Sequence, residues 1–278
     1  MTTTMTTTTT SPNGNARLSP AAETNGQLWG GKARAWAELQ EPISRPLYVA
    51  ALERARVGSG TAYLDVGCGA GTAASVAAER GAKVSGLDAS EALLAIARDR
   101  TRAGDFRLGE LEALPFPAES FDVITGFNSF QFAMRPIGAL EEARRVARPG
   151  ARIIIATWGR PEDTQAAAVL AALRPLLPAP PPGAPGPFAL SDEGALRKLA
   201  RDAGLSPVEV TDVECPFVYP DLTTALRGLS ASGVAVKAAT LAGEDAVTRA
   251  NTEMLVPFKK ADGSYRIENK FRYLLATA

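Results

Sequence analysis

Hydrophobic and polar positions change period several times along the chain, and each change marks an element. Residues 63–66 (YLDV) form an apolar run broken by one carboxylate, which fits a short buried strand. Residues 73–79 are small and apolar at helical spacing. Between the two stand Gly67, Gly69 and Gly71 at alternate positions. Lacking Cβ atoms, they allow positive φ and let a ligand approach the main chain beside the positive end of the following helix. Residues 82–87 read as a second apolar strand ending at Asp88. Ser90 is placed as N-cap of a helix over Glu91–Arg100, whose Leu93, Leu94 and Ala97 face inward. Further strands are expected at Asp105–Leu108, Phe121–Phe127 and 152–158, with 141–146 inside a helix. Strands alternating with helices give a parallel sheet covered on both faces, whose ligands bind beyond the carboxyl ends of the strands. Gly67, Asp88, Glu110 and Asn128 all fall at such ends.

The flanks of this block are less regular. Residues 1–26 are threonine-rich and polar at the start, and are expected to form a disordered tail ahead of one domain over 27–277. Trp29, Ala33, Trp36 and Ala37 recur at helical spacing and a second helix is expected over 43–57, so 28–57 read as N-terminal helices. A helix from Gly159 to about Leu173 should run into the proline-rich connection 175–188. Ser191 is placed as cap of a helix reaching Ala203, and 205–219 alternate as one strand. Residues 221–256 read as two or three helices, and a final strand covers about 265–276.

Composition narrows the function mainly by exclusion. A chain of 278 residues accommodates one large domain with an insert. Lys plus Arg and Asp plus Glu both number 30, and no basic tract stands out, which argues against a nucleic-acid partner. The chain has no histidine, so metal sites built on His and histidine bases are ruled out, and no metal is expected. Cys68 and Cys215 form no C-x-x-C pair and suggest no disulfide framework. Neither a secretory signal nor a bilayer-spanning apolar run is present, so the expected compartment is the cytoplasm, without membrane insertion. The oligomeric state is not legible.

Asp88 follows the glycine turn by about twenty residues, where nucleoside-binding α/β folds place an acid for ribose hydroxyls. A dinucleotide fingerprint would run G-x-G-x-x-G, whereas here Gly71 comes one residue early and an acid, Asp65, precedes the loop. With the stretches LDVGCGAGT, GLDAS, GELEALPF, SFDVITGFNSFQF and RVARPGARIIIATWG, the chain over about 61–159 resembles the class I S-adenosylmethionine-dependent methyltransferases. It resembles in particular the branch containing quinone-biosynthesis and small-molecule-methylating enzymes.

The resemblance implies an α/β fold: a Rossmann-like, mostly parallel seven-stranded sheet with helices on both faces, an antiparallel last strand and a helical cap, here 221–256. It implies S-adenosyl-L-methionine as cofactor, S-adenosyl-L-homocysteine as its product, and a small-molecule methyl acceptor. Asp65 and the loop amides of Gly67, Cys68 and Gly69, with Gly71 behind them, would hold the methionine portion, completed by main chain near Asn128. Asp88 and Ala89 would meet the ribose, and Gly109, Glu110 and Leu111 the adenine. Two positions depart from the family: Glu110 replaces the usual aspartate, and Ala151 replaces a second glycine after Gly150. The leading helices would fold over the cofactor mouth, with the acceptor between them and the cap. Trp29, Trp36, Phe132, Trp158, Phe217 and Tyr219 are candidate walls for an apolar or aromatic acceptor. Direct in-line displacement from sulfur needs no fixed catalytic motif, and no catalytic residue is assigned. The alternatives are a nucleotide-binding oxidoreductase and a protein that binds S-adenosylmethionine without methylating.

Overall fold

The structure, a computed structural model, describes residues 18–179 and 186–278. The start of the threonine-rich tail (1–17) and the middle of the proline-rich connection (180–185) lie outside the described residues.

In chain order the central strands are β1 (Ala62–Val66), β2 (Lys83–Asp88), β3 (Asp105–Leu108), β4 (Phe121–Phe127), β5 (Ala147–Trp158) and β6 (Ser206–Glu214). After β7 (Phe217–Tyr219) and β8 (Tyr265–Ile267) comes β9 (Lys270–Thr277). Seven of them form one sheet in the order β3-β2-β1-β4-β5-β9-β6, while β7 and β8 pair as a separate ribbon. The pairs from β3 to β5 are parallel, and β9 runs antiparallel to both β5 and β6. This is the Rossmann-like sheet with an antiparallel last strand that the resemblance implies. The β-branched runs of β4 and β5 follow from burial on both faces. Ile153 and Ile155 enter one core with Leu64, Ile124 and Leu274, while Ile154 enters the other with Tyr63, Val123 and Tyr273.

Around the sheet lie α1 (Pro20–Gly30), α2 (Ala33–Ala35), α3 (Arg45–Arg54), α4 (Thr72–Glu79), α5 (Glu91–Arg100) and α6 (Pro136–Val146). The later helices are α7 (Ala167–Leu173), α8 (Glu193–Asp202), α9 (Leu222–Leu229), α10 (Gly233–Ala242) and α11 (Glu244–Leu255). Among the described residues no helix is long and apolar enough to cross a membrane. Ser90 caps α5 as expected, its Oγ accepting from the Leu93 amide at 3.4 Å. Gly150 alone takes the positive φ (74°) that its turn requires, so Ala151 needs no second glycine.

Several expectations are corrected. Residues 19–26 are not a tail: Ser19 caps α1, accepting from the Ala22 amide, and Pro20 starts the helix. Its mixed composition hid an element whose order comes from packing on α5 and α10. Ahead of α3 the chain makes a π turn (Trp36–Gln40) and a 3₁₀ turn (Glu41–Ser44) rather than continuous helix. The helix expected from Gly159 is broken: a 3₁₀ turn at Pro161–Asp163 precedes α7, and the Ala166 amide bonds to the Asn269 side chain. Asp192, not Ser191, caps α8, because the Ser191 hydroxyl donates to the Phe188 carbonyl instead. The strand expected over 205–219 splits at Cys215–Pro216, and that over 265–276 splits at Glu268–Asn269. Proline lacks the ladder donor in the first case. In the second, Asn269 turns its own side chain onto the Ile267 carbonyl.

One polar chain runs through the middle of the sheet. Tyr63 donates to Thr125 Oγ1 (2.6 Å), and Thr125 donates to Asp65 Oδ1 (2.8 Å). All three side chains are buried. Burial pushes the Asp65 carboxyl from 3.8 up to about 7, against the opposing Thr125 hydrogen bond and helped by the nearby Glu41 and Asp88 charges. A carboxyl with a raised folded pKa binds a proton more readily folded than unfolded, so its contribution to stability is lost as pH rises from about 4 through about 7. Asp65→Asn keeps an acceptor for Thr125 without the charge. Its stability gain over the ligand-free wild type should be larger at pH 8 than at pH 5 by on the order of 2 kcal/mol, or about 4–8 °C in melting temperature. Thermal melts at the two pH values check this; a gain independent of pH would show that Asp65 is not titrating.

Candidate cofactor site

The turn from β1 into α4 is built from backbone hydrogen bonds that leave little room for side chains. The amides of Gly67 and Cys68 both donate to the Leu87 carbonyl, at 2.7 and 2.9 Å. Gly69 donates to Asp88 Oδ2 at 2.8 Å, and the Ser90 amide donates to Asp88 Oδ1 at 2.9 Å. The loop amides expected to hold the methionine portion thus bond to Leu87 and Asp88 in this structure. Gly67 (φ 78°) packs its open face on Ser129, whose hydroxyl donates to the Val66 carbonyl at 2.5 Å. Gly69 has φ 56°, and a Cβ there would stand 2.6 Å from Glu41 Oε1. Gly71 sits at the head of α4 with φ 81°.

Asp88 is half-buried at the end of β2. The protein around it raises its carboxyl from 3.8 to about 6, against the lowering effect of the Ser90 and Gly69 amides. Each of its oxygens keeps a further lone pair for a hydroxyl donor. Ala89 turns its carbonyl against Gly26 of α1, where only a glycine fits. The Gly109 amide donates to the Asp88 carbonyl at 3.0 Å, which brings Glu110 to the same strand end as Asp88, with Leu111 packed on the sheet core. Glu110 Oε2 accepts from the Ser19 amide at 3.1 Å, so α1 begins on this residue. Asn128 closes the other side: it takes φ 54°, its amide donates to the Ala156 carbonyl at 3.0 Å, and its Oδ1 accepts from Gln131 at 3.3 Å.

The aromatic candidates fall into separate groups. Trp29 packs edge to face on Trp36 (4.9 Å between centroids) and on Phe132 (5.6 Å), above the glycine turn. Trp158 stacks on Phe271 (4.9 Å) with Phe217 farther off at 6.5 Å, under the late helices. Tyr219 is buried, and its hydroxyl donates to Gln40 Oε1 at 2.7 Å. Phe217 and Tyr219 are thus largely core, exposed by only 4% and 1%.

Sequence reasoning missed Glu41, Arg100, Thr72 and Ser129. Glu41 is buried, yet its carboxylate accepts from the Ala70 amide (2.8 Å), Thr72 Oγ1 (2.5 Å) and Arg100 (2.7 Å). No motif surrounds it, and Glu38 three residues earlier gives the stretch a second acid from which the sequence does not distinguish it. Glu41, Asp65 and Asp88 bring three buried or half-buried carboxylates around one turn, and the Arg100 guanidinium bonds to Glu41 among them. Such a donor and charge set suits a ligand that is itself cationic and offers hydroxyl and amine donors, as the sulfonium cofactor does.

Residues 64–155 match a family profile described as a methyltransferase domain. A malonyl-[acyl-carrier protein] O-methyltransferase of Erwinia pyrifoliae is 30% identical over 197 residues, covering 71% of this chain and 70% of that protein. Methyltransferase GfsG of Streptomyces halstedii is 34% identical over 221 residues, covering 72% of this chain and 73% of that protein. A solved S-adenosylmethionine-dependent methyltransferase from Aquifex aeolicus is similar in fold, with a TM-score of 0.52 at 21% identity over 66% of this chain and 92% of that one. The matched segment contains the glycine turn, Asp88 and Glu110. The chain belongs to the class I S-adenosylmethionine-dependent methyltransferases, with S-adenosylmethionine as its cofactor.

Proposed function

We propose that this enzyme transfers the methyl group to a small, largely apolar or aromatic metabolite held between the late helices and the N-terminal segment. The observation that carries the reading is the way these two parts meet beyond the carboxyl ends of the strands. Tyr219, just before α9, bonds to Gln40, and Gly228 of α9 lies against the same residue. Gly233 of α10 lies against the Trp29 indole. The helices α9, α10 and α11 thus act as a cap, with aromatic side chains on either side of the junction.

The bound cofactor supplies a methyl group already activated on a sulfonium. The residues of this chain then bind, orient and exclude water. Asp88 would accept from the ribose hydroxyls and Glu110 from the adenine amine, while Asp65, behind the loop, would add a carboxylate to the field that favours a cation. Burial pushes the Cys68 thiol far above its ordinary range and the Cys215 thiol up to about 11, so neither is a thiolate suited to carry the methyl group. This supports a single displacement. With histidine absent, an acceptor that must lose a proton ionises by itself or gives it to a carboxylate.

The cap also holds an unused recognition group. Asn251, on the buried face of α11 between Val247 and Leu255, is fully buried, and neither of its amide atoms has a partner among the described residues. An unpaired buried amide costs stability, and a polar group of the acceptor would relieve it.

Two outcomes test the reading. Asp88→Ala should weaken S-adenosylhomocysteine binding about ten- to a hundred-fold, a loss of roughly 1.5–3 kcal/mol. Because the Asp88 carboxyl sits at about 6, the wild-type affinity should also fall as pH drops through that value, and the Ala variant should lose this component. Calorimetry from pH 5 to 8 measures both, and unchanged binding in the variant removes Asp88 from the site. Asn251→Leu should raise the melting temperature by a few degrees while raising the acceptor KM about tenfold and leaving cofactor affinity unaltered. A variant with wild-type acceptor KM would show that Asn251 does not face the acceptor.

A further inference from the structure

The densest polar cluster at the turn centres on Glu41, whose hydrogen bonds all go to the protein itself. Glu41 has a side chain 5% exposed and Arg100 one 27% exposed. Arg100 sits at the end of α5, the helix that follows Asp88. Its guanidinium donates to Glu41 Oε2 (2.7 Å), to the Ala70 carbonyl (2.8 Å) and to Thr72 Oγ1 (2.8 Å), and with its other arm to the Ala37 carbonyl (2.6 Å). Glu41 in turn holds the Ala70 amide and the Thr72 hydroxyl. The pair therefore bonds both faces of the Ala70 residue to two points of the N-terminal segment, Ala37 and Glu41. Burying a carboxylate this way is a poor means of fastening one helix to another, since apolar contacts would do so at lower desolvation cost. Its distinguishing property is that it forms completely or not at all: removing any member leaves buried charged or polar groups unpaired.

The same N-terminal segment covers the adenosine side of the site. The Ser19 amide bonds to Glu110, Gly26 packs on the Ala89 carbonyl, and Trp36 reaches over Gly69. A ligand reaching Asp88 and Glu110 has to pass beneath it. We propose that Glu41 and Arg100 are positioning residues, a latch that couples docking of the N-terminal segment to occupation of the cofactor site. This rests on the assignment of the glycine turn to the cofactor. With the latch closed, the Gly69–Ala70 peptide is held in the conformation that presents Asp88, and the segment shuts over the bound cofactor. With it open, both the segment and that peptide are released together.

The test compares wild type with Glu41→Gln and Arg100→Lys, using S-adenosylhomocysteine as the probe. Calorimetry gives affinity, and hydrogen exchange over 19–44 and over β1 and β4 is followed with and without saturating probe. In the wild type, binding should slow exchange over 19–44. In Glu41→Gln, affinity should fall about tenfold or more and the added protection over 19–44 should be lost even at saturation, while β1 and β4 keep wild-type protection. A purely structural role would lower protection in the core strands and leave the ligand-dependent gain in place. Should Glu41→Gln lose the core protection, Arg100→Lys carries the same readout, because it keeps the charge but cannot span Ala37 and Ala70 with one planar fork. Affinity within about twofold together with a full gain of protection in both variants overturns the latch alone. No binding by the wild-type chain overturns the cofactor assignment beneath it.

Discussion

Close approach at the Gly67–Gly71 turn is the constraint on which the rest of the site depends. The strand β1 ends under a helix that begins six residues later, and the intervening backbone has to bond to Leu87 and Asp88 of the neighbouring strand while admitting Ser129 and Glu41 against its glycines. A side chain at Gly67 or Gly69 would break this arrangement twice, through its positive φ and through the atoms already in its place. The order of the sheet follows the same logic. With β1 and β4 adjacent and β2 beyond β1, the carboxyl ends that carry Asp88, the turn and Asn128 lie side by side.

Charge is the second organising term. Water is largely excluded around Asp65, and the protein supplies too few cations to neutralise the acids gathered there, so their carboxyls are pushed upward. A fold gains nothing in stability from such an arrangement without a ligand. A cation placed among these carboxyls would relieve that cost.

The sheet was legible because its strands alternate or run apolar between glycines and caps, and β3, β4 and α5 fall where the hydrophobic pattern places them. The glycine turn was legible for a related reason: Gly67, Gly69 and Asp88 are adjacent to strand ends, where backbone geometry dictates residue type. The bonds of its amides to Leu87 and Asp88 were not, because they depend on the neighbouring strand. Helix α1 was misread because PAAETNGQLWG carries little apolar periodicity; its order comes from Gly26 and Trp29 packing on distant elements. Glu41 was invisible for the same cause. Its partners lie 29 to 59 residues away, and only the folded chain brings them together.

The acceptor end of the site resists sequence reading for a chemical reason. Displacement at an activated methyl asks for alignment and dryness, which many apolar surfaces provide, and it asks for no fixed nucleophile or base. A cofactor common to the family imposes residue types at fixed spacing; an acceptor that differs between family members imposes only a shape. The cap bears this out in its residues. Its helices are held by small side chains at contact points, Gly228 against Gln40 and Gly233 against Trp29, and its one buried polar side chain without a partner among the described residues is Asn251. The turn around Trp36–Gln40, tied to the glycine loop through Glu41, also meets Tyr219 and Gly228 through Gln40, so the late helices and the glycine loop rest on the same short stretch of chain.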